Sequence, residues 1–198
     1  LSISSFTTTA ADLYGNTLTT TVPTGSVFDG KTIAIDTSAP TTTITAVEYT
    51  DGGDGAAGTL VLTGDNFTGT NGLGVTQGND AKSNLDWGKI VWQANGAGIS
   101  TSDVTFAVGD ITSAIVTNDT TMTITLNAAA NTALKGTVDF AAQGAADSVS
   151  ISTGFIKDIA GNVSTTDAAD VAPDYTDATR PTVTSFTSSS VNKSYIEG

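Results

Sequence analysis

Thr121-Met122-Thr123-Ile124-Thr125-Leu126 alternates polar and apolar residues without a break. In a strand, alternate side chains face one side, so Met122, Ile124 and Leu126 line a wall for a core and the threonines line a wet one. Threonine suits the wet wall because its β-branched side chain fits the pleated backbone. The same alternation recurs on both sides of this stretch. Val104, Phe106 and Val108 alternate with Thr105 and Ala107, Ile33 and Ile35 flank Ala34, and Val149 and Ile151 alternate with Ser148, Ser150 and Ser152. Thr59-Leu60-Val61-Leu62-Thr63 and Lys89-Ile90-Val91-Trp92-Gln93 are short β-rich runs. The expected core is Met122, Ile124, Leu126, Ile90, Trp92, Phe106, Val149 and Ile151.

Turn residues separate these runs. Asp51-Gly52-Gly53-Asp54-Gly55, Asn71-Gly72, Asn95-Gly96 and Ala160-Gly161-Asn162 supply residues that tolerate positive φ. Many short strands with turns between them predict an all-β sandwich or barrel. One short helix is expected over Asn127–Leu134, an Ala-rich stretch that Asn127 caps and Gly136 ends.

Composition narrows the chemistry. Twenty acidic residues stand against seven basic ones, for a formal net charge of −13. Such a charge repels nucleic acid and anionic membranes, which need a basic patch, and attracts cations. There is no Cys and no His. Disulfides, thiol chemistry, imidazole or thiolate zinc sites and every His-based catalytic arrangement are therefore excluded. No apolar run approaches the roughly 20 residues of a membrane-spanning helix, so no direct membrane insertion is expected. Leu1 begins in mid-pattern and Gly198 follows a strand-like segment, so both ends read as cuts through a longer polypeptide.

An internal echo organises the chain. Asp12-Leu13-Tyr14-Gly15-Asn16-Thr17 matches Asp158-Ile159-Ala160-Gly161-Asn162-Val163, and Asp36-Thr37-Ser38-Ala39-Pro40-Thr41 matches Asp177-Ala178-Thr179-Arg180-Pro181-Thr182. The two pairs lie 146 and 141 residues apart, which predicts a tandem module of about 140 residues. On this reading residues 1–35 are the C-terminal part of one module, 36–41 a linker, 42–172 a complete module, 173–182 a second linker and 183–198 the start of a third. Leu1–Phe6 and Val183–Phe186 are expected to pair with strand edges of neighbouring modules or copies.

Asp-x-x-Gly-Asn followed by Asp-x-x-x-Pro-Thr resembles the end of bacterial immunoglobulin-like repeats in giant surface proteins: repeats-in-toxin adhesins, biofilm adhesins and S-layer-associated proteins. Gly58-Thr59-Leu60-Val61-Leu62-Thr63-Gly64-Asp65-Asn66-Phe67 is similar to the opening strand and turn of such modules. The resemblance covers most of residues 42–182. It implies immunoglobulin-like β-sandwich modules in tandem, export to the bacterial cell surface, and frequent Ca²⁺ at module junctions. The Ca²⁺-binding nonapeptide of repeats-in-toxin proteins is only half present: Gly52-Gly53-Asp54-Gly55 runs on into Ala56-Ala57, so no parallel β-roll is expected.

Calcium takes six to eight oxygen ligands from carboxylates, amides and carbonyls. The candidate ligands are Asp158, Asn162, Asp170, Asp174 and Asp177 at one junction, and Asp12, Asn16 and Asp36 at the other. A weaker set is Asp51, Asp54, Asp65 and Asp80 in Gly-rich loops. The competing reading of Asp158–Asn162 is a tight Gly-Asn turn capped by its Asp. No pair of carboxylates is selected for catalysis, no lysine stands in an apolar setting, and no phosphate loop is present; the expectation is a non-enzymatic protein. Trp87 is the better candidate of the two tryptophans for exposure, and hence for stacking on a sugar. The expected function is that of a structural repeat of a secreted adhesin stalk, surface layer or filament, partnered by neighbouring modules or copies. The alternative is a carbohydrate-binding adhesin module that recognises cell-surface glycan.

Overall fold

The computed structural model describes residues 35–69, 71–96, 102–141, 146–177 and Ser185. The chain divides into two compact units, Leu1–Thr37 and Ser38–Gly198, and every described strand and helix belongs to the second. The expected pairing of Leu1–Phe6 and Val183–Phe186 lies outside the described residues, Ser185 apart.

Among the described residues, nine strands make two sheets. They are β1 Thr43–Thr50, β2 Thr59–Asp65, β3 Ile90–Gln93, β4 Asp103–Thr105, β5 Ile111–Asn118, β6 Thr121–Leu126, β7 Ser148–Ile151, β8 Ala168–Val171 and β9 Pro173–Thr176. The five-stranded sheet runs β5-β6-β2-β1-β9 and the four-stranded sheet β4-β3-β7-β8. The alternation of residues 121–126 survives intact: Met122, Ile124 and Leu126 are fully buried and the threonines between them half-buried. Opposite β6, Leu60 and Leu62 of β2 supply the next apolar row, in register with Ile124 and Met122. Ile90 and Trp92 of β3, with Val149 and Ile151 of β7, close the core from the other sheet. The chain is thus mostly β, with two sheets around one core.

Helix α1, Ala128–Lys135, forms where expected. The Asn127 side chain accepts from the Ala130 N–H at 2.8 Å, which satisfies one of the helix's unpaired donors. Gly136 ends the helix with a right-handed φ of −80°, so its freedom at positive φ is not used.

Two expectations are corrected. Val104, Phe106 and Val108 do not share one strand wall: β4 stops at Thr105, and a 3₁₀ turn over Val108–Asp110 leaves Val108 exposed while Phe106 stays buried. The second linker does not begin at residue 173. Pro173–Thr176 is strand β9, parallel to β1, with Val47 opposite Pro173 and Thr50 opposite Thr176. Proline masked this strand in the sequence, yet Pro173 sits on the outermost strand of the sheet, where a missing N–H costs nothing. Between β8 and β9 the chain passes from one sheet to the other. Asp170 takes a left-handed φ of 55° just before that crossing.

Trp92 is fully buried and meets Tyr49, Phe140 and Tyr175 at centroid separations of 5.5–5.9 Å. Trp92→Ala is expected to cost roughly 3–5 kcal/mol of unfolding free energy in a denaturant titration. A loss below about 1 kcal/mol would mean that the ring does not fill the core.

Candidate functional site

Strand β1 gives the sandwich two ends, and the candidate ligands divide between them. Eight residues at about 3.3 Å per step separate the Thr43 end from the Thr50 end by about 23 Å.

At the Thr43 end the entering chain is fastened by side chains. Thr41 donates both its N–H and its hydroxyl to the Asn71 carbonyl, at 2.7 and 3.0 Å. Asn66 Nδ2 donates to Thr41 Oγ1 at 2.9 Å, and Thr42 Oγ1 donates to the Asn66 carbonyl at 3.0 Å. The Thr166 hydroxyl donates to the Thr42 carbonyl at 2.7 Å. The Asp158–Asn162 loop stands on this side, since Ile156 and Ser164, which flank it, border one crevice with Thr42 and Ile44.

That loop is built as a capped turn. Asp158 is buried; Oδ1 accepts from the Asn162 N–H at 2.8 Å and Oδ2 from Asn162 Nδ2 at 2.9 Å. Gly161 takes a φ of 96°, which the turn requires. Burial pushes the Asp158 pKa up. The Asn162 side chain and the N–H groups of Asn162, Gly161 and Ala160 outweigh it and hold the carboxyl below its ordinary value.

At the Thr50 end stand Asp51, Asp54 and Asp177, around a cavity of about 280 Å³ floored by Tyr49, Phe140 and Tyr175. Asp51 is buried, and Oδ2 accepts from Lys135 Nζ at 2.8 Å. Its Oδ1 accepts from the Gly53 N–H at 3.0 Å and from Asn131 Nδ2 at 3.1 Å. Asn131 also donates to the Ala56 carbonyl and accepts from the Tyr49 hydroxyl at 2.6 Å. Asn131 and Lys135 lie one helical turn apart on α1, so one face of the helix locks the 51–56 loop to the sheet. Burial first, then the Asp51 and Asp177 carboxylates, push the Tyr49 hydroxyl well above the ordinary tyrosine range. The Lys135 ammonium is held above its ordinary pKa by its bond to Asp51.

The expected calcium ligands therefore sort differently from their sequence grouping. Asp158 and Asn162 stand at one end of β1, and Asp177 at the other, beside Asp51 and Asp54. Asp170 and Asp174 are exposed on β8 and β9. Asp65 ends β2 opposite Thr43. Asp80 accepts from the N–H groups of Lys82 and Ala114, both at 2.9 Å, and so ties a loop to β5. Asp36 lies in coil of the first unit, and Asp12 and Asn16 fall outside the described residues. Among the described residues no three acidic side chains gather closely enough to hold a metal ion.

Trp87 is not exposed. It is 4% accessible, its indole N–H donates to the Lys82 carbonyl at 3.2 Å, and its ring meets Phe155 edge to face at 6.1 Å. A flat platform for a sugar is not available there. Sequence reasoning missed Asp147, which is buried beside Trp92: its Oδ2 accepts from the indole N–H at 2.7 Å and from the Ala141 N–H at 3.2 Å. Burial and this carboxylate push the Tyr175 hydroxyl pKa far up. In Ala145-Ala146-Asp147-Ser148 nothing marks that carboxylate as internal.

The geometry generates a pH prediction. A carboxyl whose folded pKa lies below its unfolded value stabilises the fold above the unfolded pKa, and that contribution is lost as pH falls through the folded pKa. Asp158→Ala should therefore lower Tm at pH 7, and the gap to the parent chain should narrow below about pH 4 in paired thermal melts. A gap that is constant down to pH 2 would show that the carboxylate's charge is irrelevant to the turn. No protein-family model, curated protein or solved structure matches this chain.

Proposed function

We propose that residues 42–177 are one structural module of a secreted bacterial surface protein, built to carry tension along a chain of similar immunoglobulin-like modules. The observation that supports this most strongly is the parallel pairing of β1 and β9. The chain enters the sandwich at the Thr43 end of β1 and leaves beyond Thr176, at the opposite end. Such a module extends a string end to end, whereas an antiparallel first and last strand would fold the string back on itself.

The same pairing decides how force acts. Pulling entry and exit apart drives β1 and β9 in opposite directions along a shared axis. Their ladder bonds, with the closing bond from the Asp51 N–H to the Thr176 carbonyl at 2.9 Å, are then loaded together rather than one after another. The threonine and asparagine bonds at Thr41 and Thr42 deliver the pull to the start of β1. The echoes of Asp158–Val163 and Asp177–Thr182 at residues 12–17 and 36–41 support repetition of this design. The net charge of −13 suits a solvated extracellular surface. The proposal rests on the ladder and not on calcium, whose expected ligands among the described residues stand at opposite ends of β1.

Single-molecule stretching of the chain through its termini tests this. In a parallel ladder, alternate residues present both backbone groups to the neighbour, and the Thr176 carbonyl faces β1, so the Asp174 N–H faces it too. Asp174→Pro removes that donor. It should cost about 1–3 kcal/mol at equilibrium, because a β1 carbonyl loses its partner, yet lower the unfolding force out of proportion. An unfolding force unchanged by Asp174→Pro, or a parent chain that extends without a resolved force peak, would sink the proposal.

A further inference from the structure

The acidic balance of the chain makes the placement of its lysines informative. With 20 acidic residues against seven basic, a carboxylate is the commonest charged neighbour available to any lysine. Yet among the described residues both salt bridges belong to Lys135, and Lys82, Lys89 and Lys157 form none. Lys82 and Lys157 border the same cavity, of about 530 Å³, and Lys89 ends the 3₁₀ turn Trp87–Lys89 beside it.

The cavity is built rather than incidental. Residues 84–86 and 155–157 pair as a short antiparallel bridge: Lys157 N–H donates to the Asn84 carbonyl, Asp86 N–H to the Phe155 carbonyl, and Leu85 lies opposite Ile156. This sets Lys157 across from Asn84, two residues from Lys82. The Lys82 ammonium is tethered to the Ile111 carbonyl, which uses one of its three donors and leaves two. Apolar surface comes from Val108 and Val163, 60% and 53% exposed, and from the rims of Trp87 and Phe106. A concave site of several hundred Å³ with apolar walls and a few placed polar groups is the usual form of a small-molecule site.

We infer that this cavity binds a saccharide bearing a single carboxylate per ring, of the uronic-acid type. The two lysines select a carboxylate. Asp86, which lines the same cavity and accepts from the Gly88 N–H, rejects a bare anion but can accept further hydroxyl donors. Ser83 and Asn84, bonded to each other, with Asn84 also donating to the Lys157 carbonyl, form a polar edge. The exposed valines suit the apolar face of a sugar ring. A dense polyanion is disfavoured, because the chain's charge of −13 opposes it beyond the immediate reach of the lysines. Recognition here rests on the lysines and not on stacking over Trp87, whose ring is covered by Phe155. This site is independent of the mechanical role proposed above.

The test is a nitrogen-15 NMR titration of the whole 198-residue chain with digalacturonate, using its dimethyl ester as the neutral control. The acid should move the Trp87 indole resonance and leave that of buried Trp92 in place. The ester should bind about tenfold more weakly or worse, from loss of a charge-assisted bond. Lys157 is exposed and holds the fold only through its backbone, so Lys157→Gln should keep the parent spectrum while weakening the acid several-fold; Lys157→Glu should abolish binding. Four results would overturn the assignment: no shift at about 10 mM acid, equal binding of acid and ester, a response at Trp92 alone, or parent-like binding by Lys157→Glu. Equal displacement of the same resonances by a tetraglutamate peptide would also overturn it, by showing a general anion site.

Discussion

The two sheets are joined where Tyr49 of β1 meets Trp92 of β3, edge to face at 5.7 Å. Each ring carries a polar atom into the interior, and each polar atom has been given a partner. The tyrosine hydroxyl reaches Asn131 on the helix, and the indole N–H reaches Asp147 just ahead of β7. Through Asn131 the contact fixes the helix and the 51–56 loop; through Asp147 it fixes the segment that carries Phe140 and Ala141. Tyr175 then lies against Tyr49, Trp92 and Phe140 and holds β9 to the sheet. Aromatic pairs of this kind contribute about 0.5–1.5 kcal/mol each beyond their buried area. The larger effect is geometric, because β9, helix α1 and the 51–56 loop are all tied to this group.

Legibility followed distance along the chain. Residues 121–126, 90–92 and 149–151 announced their inward faces, because strand periodicity is local and the core reads it directly. The Asn127 cap and the helix were legible for the same reason. Strand β9 was not: its partner lies about 125 residues away, and Pro173 and the acidic Asp174 and Asp177 resemble linker. The site residues were less legible still. Asp51, Asp54 and Asp177 were each visible as acidic loop residues, but their meeting at one end of β1 depends on the parallel ladder. Lys82 and Lys157 drew no attention as a pair because a 75-residue separation hides the bridge that joins their segments.

Several acidic side chains act as local anchors. Asp51, Asp80, Asp86, Asp110, Asp119 and Asp158 each accept backbone N–H groups at a turn or loop. A carboxylate is a good acceptor for such donors, since charge-assisted bonds are shorter and stronger than neutral ones. A chain without cysteine has no covalent staple for its long loops, and these side chains supply many short ones.

The two phenols of the aromatic cluster have a consequence for how this end of the module responds to pH. With no histidine and no cysteine, its ionisable side chains are those of aspartate, glutamate, lysine, arginine and tyrosine, none of which has an unperturbed pKa near neutrality. Among the described residues, the hydroxyls of buried Tyr49 and of partly exposed Tyr175 are both driven further upward, away from neutrality. Phenols raised in this way stay protonated through neutral pH, so the Tyr49 hydroxyl keeps its bond to Asn131 and the Tyr175 hydroxyl its bond to Asp147.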